Sequence, residues 1–248
     1  MRRERWYILF GAALIVCAAL LYLLHYAIFR NAHHIYLYLL GDLAFLPLEV
    51  LVVALIVDTL LSGRDKRAAL EKMNMVIGAF FSEVGTTLLG ELCRFDPEAD
   101  KKRSLFAQCG AWQDADFAHV RAGLGDTSFT CESRAGDLEP VRELLVAKRD
   151  FMVRLLENPM LLEHESFTDL LWAVFHLTEE LASRPALSGL PGPDLEHLSG
   201  DMGRAYGLLA GQWLDYMRHL ESAYPYLFSL AVRLNPFDPD AEATISST

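Results

Sequence analysis

The run WYILFGAALIVCAALLYLLHYAIF, residues 6–29, decides the fold, because His25 is its only side chain of marked polarity. A helix needs about 20 such residues to cross the hydrocarbon core of a bilayer. Arg2, Arg3 and Arg5 precede the run, a pattern that is also typical of a cleaved signal peptide. The run is too long for a signal peptide, and no small-x-small cleavage site follows it. We therefore predict a membrane-spanning helix.

A second apolar run covers residues 35–61, and only the short link 30–34 separates it from the first. So tight a link forces the two helices to lie antiparallel. The sequence therefore predicts a transmembrane helical hairpin over residues 1–62, with spans at about 6–29 and 35–61. The lipid bilayer is the first predicted partner.

The flanking charges indicate how this hairpin is oriented. Basic residues stand outside both spans, at Arg2, Arg3, Arg5, Arg64, Lys66, Arg67 and Lys72. The link has Arg30 alone, and segments rich in Lys and Arg stay in the cytosol. We predict that both termini are cytosolic. The four cysteines show no disulfide or metal-finger spacing, which is typical of a reducing compartment and favours a prokaryotic inner (cytoplasmic) membrane.

Three polar side chains lie inside the predicted spans: His25, Asp42 and Glu49. His25 and Asp42 fall at comparable depths in an antiparallel hairpin, so we expect them to pair. Glu49 has no such partner, and a charged carboxylate there costs on the order of 3 kcal/mol. Either Glu49 belongs to an ion or proton pathway, or it is protonated and bonds across an oligomer or to the backbone near Pro47. The second interpretation is favoured, and both imply self-association.

Beyond the hairpin the sequence predicts a cytosolic α-helical bundle over residues 63–236 and a disordered tail over 237–248. The fold class is all-α, since strand-like alternation is missing throughout. Residues 65–248 carry 17 basic and 29 acidic residues. An acidic domain of this kind argues against binding to a phosphate backbone, so we expect no nucleic-acid partner.

A helix predicted over 194–221 carries Gly203, Gly207 and Gly211 at four-residue spacing, nearly opposite an apolar seam. Each glycine costs a helix roughly 1 kcal/mol relative to alanine. Three in register predict a helix-packing face where a neighbouring backbone comes close. A groove for a ligand or a partner helix is the alternative.

A helix predicted over 160–183 places carboxylates and a histidine opposite its core stripe. With two residues from a later helix they form a candidate metal or acid/base site: Glu165, Asp169, His176, Glu179, Asp215 and His219. Carboxylate and imidazole ligands do bind metals inside helical bundles. A solvated face with local ion pairs is favoured over such a site. Trp172 lies among these charges, which predicts contact with a partner.

No nucleophile elbow, zinc-binding HExxH helix or dinucleotide fingerprint occurs in the sequence. The leading hypothesis is a membrane-anchored helical interaction or regulatory module that self-associates or binds another membrane or cytosolic protein. It involves no cofactor and no catalysis. The alternatives are a metal-binding or acid/base enzyme, which would take a divalent metal, and an oligomeric ion or proton pathway through the acidic second span.

Overall fold

A computed structural model describes residues 2–159, 161 and 164–244, with the side chains of 2–5, 8, 59–69 and 126 left out. Every regular element in this part of the chain is helical, so the predicted all-α class is confirmed. The helices are α1 (Arg2–Phe29), α2 (Ala32–Phe80), α3 (Thr86–Cys93), α4 (Ala99–Phe106), α5 (Asp114–Gly123), α6 (Glu139–Leu156), α7 (Glu165–Ala182), α8 (Gly192–Ala223) and α9 (Pro225–Arg233). A π-helical turn, Phe81–Gly85, joins α2 to α3. The chain divides into two compact units, residues 1–66 and 67–248.

In the first unit, Leu9–Phe29 and Ala32–Asp58 are each long and apolar enough to cross a membrane, and neither stretch is buried by protein. Their apolar side chains point outward. Arg30 ends α1 in the left-handed region, with φ of 49°, while its N–H donates to the carbonyl of Tyr26. This left-handed residue interrupts the helical backbone between α1 and α2.

A third apolar stretch, Leu70–Cys93, is also long enough to span a membrane by composition. Nearly half of it is buried inside the protein. Met73, Ile77 and Phe80 are core residues of the second unit. Burial against its own domain accounts for the apolar character of this stretch.

The expected pair between His25 and Asp42 does not form. The His25 ring stacks on His34, with centroids 5.7 Å apart. Its Nε2 makes no hydrogen bond, and Asp42 makes no ion pair with any residue that the structure describes. The ring contacts of His25 are with Phe29 and His34 rather than with Asp42.

The second unit is built around α8, which packs against α3, α5, α7 and α9. Its largest buried side chains are Trp213 and Tyr206. Phe237, at the start of the predicted tail, is buried and stacks on Phe106 at 4.1 Å between ring centroids. The ordered bundle therefore includes Phe237.

Gly203, Gly207 and Gly211 of α8 each face a close neighbour. A Cβ on Gly203 would lie 3.0 Å from the carbonyl oxygen of Phe129, whereas one on Gly207 would lie 3.5 Å from the Phe129 Cβ. A Cβ on Gly211 would lie 2.6 Å from Nη1 of Arg121. The backbone that comes close at Gly203 belongs to the irregular segment after α5 rather than to another helix.

A buried ion pair lies beside this segment. Lys102 is 2% exposed, and its Nζ lies 2.6 Å from Oδ2 of Asp96. The same ammonium lies 5.2 Å from the ring centroid of Phe129 and 5.8 Å from that of Tyr206. Asp96 also accepts the N–H of Glu98 at 2.8 Å. The pair fixes the start of α4 against the core.

We expect Gly203→Ala to be less stable than Gly207→Ala. Alanine gains roughly 1 kcal/mol of helix propensity at either site, but at Gly203 the Phe129 carbonyl must move to admit the methyl group. Thermal unfolding of the two detergent-purified variants measures the difference. Equal stability would show that the segment after α5 yields freely.

We expect Lys102→Met to lower the free energy of unfolding by about 3 kcal/mol or more, because it leaves the Asp96 carboxylate buried without its partner. The double variant Lys102→Met/Asp96→Asn should lose less free energy of unfolding than the sum of the losses in the two single variants. Denaturant unfolding checks both, with the exposed Lys101→Met as control. Additive losses would contradict coupling between the two side chains.

Candidate metal centre

Two helices in succession place two pairs of metal-binding side chains toward each other. His176 and Glu180 stand four residues apart on α7, and His197 and Asp201 stand four apart on α8. That spacing puts each pair on one face of its helix. Since α7 and α8 pack together and are joined by the short segment 183–191, the end of α7 lies beside the start of α8.

The four side chains converge. Nε2 of His176 and Nε2 of His197 each lie 3.3 Å from Oδ2 of Asp201. Glu180 lies within 3.9 Å of the His176 ring and within 3.6 Å of the His197 ring, measured from its oxygens to Nε2. One ligand atom from each residue can be chosen so that all four lie within 4.8 Å of one another.

These separations suit a bound ion. Imidazole and carboxylate ligands bind zinc at about 2.0–2.2 Å, which places two ligand atoms of one ion roughly 3.4 Å apart in a tetrahedron and at most about 4.4 Å apart. The longest separation, at most 4.8 Å, would have to shorten by up to about 1.4 Å to reach the tetrahedral value, a change within reach of side-chain rotation.

Asp201 is the buried member of the set. Its side chain is 4% exposed, and its Oδ2 accepts no hydrogen bond from any residue in the described part of the chain. Its Oδ1 accepts a bond from Arg204 Nη1 at 3.3 Å. A buried carboxylate oxygen without a donor is costly, and a cation between the two imidazoles would satisfy it.

Arg184 holds Glu180 in place and ionised. Its Nη1 donates to Glu180 Oε2 at 2.8 Å, and its Nη2 and Nε reach both oxygens of Asp194 at 2.6 and 3.0 Å. The hydrogen bond from Arg184 keeps the pKa of Glu180 below its usual value. A metal-binding carboxylate must be deprotonated, so Arg184 prepares Glu180 for this role.

A network of ion pairs without a metal is the competing description. Each imidazole would then donate a hydrogen bond from its Nε2–H to a carboxylate oxygen. Neither Nε2 makes a hydrogen bond to Asp201 Oδ2 despite the distance of 3.3 Å. In a bonded network a single oxygen of Asp201 would have to serve both imidazoles, whereas an ion placed between these three atoms would be bound by all of them.

Of the candidate ligands predicted on α7, only His176 belongs to this set. Glu179 pairs instead with Arg149 at 2.6 Å, and Glu165 lies in the first turn of α7. Asp169 and Trp172 line an open cavity that also reaches His176. The sequence therefore identified the polar face of α7, but it did not identify most of the residues that form the metal centre.

Asp215 and His219 lie elsewhere on α8. Asp215 pairs with Arg121 at 3.2 Å, and Nδ1 of His219 lies 3.2 Å from Nδ2 of Asn74. At 1.5 Å per residue, Asp215 and His219 lie about 21 and 27 Å along the helix from Asp201. Because Asp201 contacts His176, both residues are also far from His176. The structure does not bring these two residues to the metal centre.

Sequence reasoning did not identify Glu180, His197 or Asp201 as candidate ligands. A usable signal was present: His-x-x-x-Glu at 176–180 and His-x-x-x-Asp at 197–201 occur on consecutive helices separated by a short linker. Two such pairs on a helical hairpin can meet, and each presents two ligands on one face.

Two family models match the chain. One is described as "MJ1433, N-terminal helical domain" and covers residues 2–61, and the other as "Uncharacterized protein MJ1433, C-terminal helical domain" and covers 69–233. "Uncharacterized protein MJ1433" of Methanocaldococcus jannaschii is 42% identical over 238 residues, which cover 96% of each chain. No solved structure matches.

Proposed function

This chain belongs to the MJ1433 family, and we propose that it is a membrane-anchored protein whose C-terminal domain binds a divalent transition metal. The metal ligands are His176, Glu180, His197 and Asp201. The observation that carries the proposal is the buried Oδ2 of Asp201, which lacks a hydrogen bond and lies 3.3 Å from both imidazole nitrogens.

The ligand set narrows the choice of ion. Two imidazoles favour zinc or a redox-active first-row metal over magnesium and calcium, which prefer oxygen ligands alone. Two carboxylates disfavour copper(I), which prefers sulfur. His176 and His197 are each about half exposed, so water and small solutes can reach the ion. An ion of this kind polarises bound water and bound oxyanions.

We expect full-length protein incubated with Zn²⁺ and then desalted to retain about one ion per chain. His197→Ala and Asp201→Asn should each remove most of it, because each deletes a ligand. His219→Ala is the matched control, since its ring lies on the same helix but contacts Asn74. Elemental analysis of the detergent-purified samples measures the content.

The same samples provide a second measurement. An ion that binds only the folded state raises stability, by about 2.7 kcal/mol at 100 times the dissociation constant, so Zn²⁺ should raise the melting temperature of the wild type and of His219→Ala. It should leave His197→Ala unchanged. Retention of zinc by all variants alike, or by none including the wild type, would overturn the metal centre.

Membrane anchoring is supported by the two long apolar helices of the first unit, whose side chains are exposed along Leu9–Phe29 and Ala32–Asp58. In water this surface would be strongly unfavourable, because exposed apolar area costs about 25 cal/mol per Å². Lipid removes that cost. The basic flanking residues favour cytosolic termini, which would place the metal-binding domain in the cytosol.

Self-association in the membrane is a second role, and it is favoured by Glu49. This residue lies on the exposed face of α2, in a shallow groove whose other lining residues are Leu46, Val50, Val53, Ala54 and Val57. It makes no hydrogen bond or ion pair with any residue that the structure describes. A second copy packed on this groove would give the carboxyl group a partner away from lipid.

We expect the chain to remain in membranes after an alkaline carbonate wash and, once extracted in mild detergent, to elute as an oligomer. Glu49→Leu should shift it toward monomer, and Glu49→Gln, which keeps the hydrogen-bonding groups, should not. Size-exclusion chromatography with light scattering measures the mass. Release by carbonate would overturn the anchor, and a monomeric wild type would overturn self-association alone.

A further inference from the structure

An open cavity of about 390 Å³ adjoins the metal centre along the groove between α7 and α8. Its lining residues are Asp169, Trp172, Ala173, His176, Arg204 and Leu208. His176 is also a proposed metal ligand, so a molecule in this cavity would reach the ion at one end. The side chains that line the cavity change from basic near the ion, to aromatic along the wall, to acidic at the far end.

The end near the metal is suited to an oxyanion. Arg204 uses one guanidinium nitrogen to reach Oδ1 of Asp201, at 3.3 Å, and its side chain is 63% exposed. A guanidinium has five N–H donors, so most of them remain available to a ligand. A divalent ion and an arginine side by side form a site that matches phosphate geometry.

The wall of the cavity is suited to a flat ring. Trp172 is 57% exposed, although aromatic side chains of this size usually bury most of their area. Its ring packs edge-on against Phe175, with centroids 6.3 Å apart, which limits its movement. Stacking of a base on an aromatic side chain contributes about 1–3 kcal/mol, and a ligand ring would cover this exposed surface.

The far end carries a hydrogen-bond acceptor. Asp169 is seven residues before His176 on α7, about 10 Å along the helix, and it makes no hydrogen bond or ion pair with another described residue. That length matches a nucleoside with one phosphate. The carboxylate can accept from an exocyclic amine or a ribose hydroxyl.

We propose that this cavity binds a nucleoside monophosphate, with the phosphate at the metal and Arg204 and the base against Trp172. The inference rests on the proposed metal centre, because the ion supplies part of the phosphate site. The acidic character of the domain disfavours long nucleic acids, but it does not oppose a small phosphate beside a cation. A surface for a partner protein at Trp172 is the competing use of this face.

The test is calorimetric titration of zinc-loaded, full-length protein in detergent with adenosine monophosphate. We expect adenosine and inorganic phosphate each to bind at least tenfold more weakly, because each makes only half of the contacts. Arg204→Gln and Trp172→Ala should each weaken binding of adenosine monophosphate at least tenfold. Arg149→Gln is the matched control, since Arg149 pairs with Glu179 outside the cavity.

The single variants separate the two ends of the site. Trp172→Ala should leave the affinity for inorganic phosphate unchanged, whereas Arg204→Gln should lower it. Elemental analysis of every sample distinguishes failure of this inference from failure of the metal centre. If zinc-loaded wild type does not bind adenosine monophosphate, or if both variants bind it as tightly as the wild type, this inference is wrong and the metal centre is unaffected. Wild type that retains no zinc overturns both.

Discussion

The burial of α8 on almost every side is the constraint on which the C-terminal domain depends. Its core residues, from Leu198 to Leu220, face α3, α5, α7 and α9. Its remaining side faces the segment after α5, and glycine at position 203 leaves room for the Phe129 carbonyl, which lies 3.0 Å from the site of a Cβ. At its buried positions, such a helix can hold a charged side chain only where a neighbour compensates the charge.

Asp201 is the buried charged residue of α8 that contacts the candidate metal ligands. It lies in the part of α8 that faces the end of α7, and it is buried there with one oxygen lacking a hydrogen bond. A carboxylate in such a place needs a partner, either the neighbouring imidazoles themselves or a cation that they bind with it. The nearby imidazoles of His176 and His197 favour the second interpretation, since a metal ion makes the burial favourable.

The sequence was informative where a pattern is local and uninformative where a site depends on packing between helices. The apolar runs and the glycine spacing of α8 were readable because each is a property of one helix. The polar face of α7 could also be predicted, but the sequence did not show which of its residues contact another helix. Glu179 pairs with Arg149 of α6, whereas Glu180 lies beside His176 at the contact with α8. Nor did the pattern show that Lys102, within a basic triplet, is buried against Asp96.

The proposed metal centre and the ion pairs of Arg184 involve the same two consecutive helices, α7 and α8. Arg184 follows the last turn of α7, where a cation is favourable, and Asp194 lies in the first turn of α8, where an anion is favourable. Their ion pair therefore joins the two helix ends without any metal and places Glu180 and His197 close together beforehand. A site organised by ion pairs in this way loses little conformational entropy when an ion binds. The same feature explains why His176 and His197 can remain half exposed: the helices that carry them are fixed by Arg184, so the imidazoles need no burial of their own to hold their positions beside Asp201.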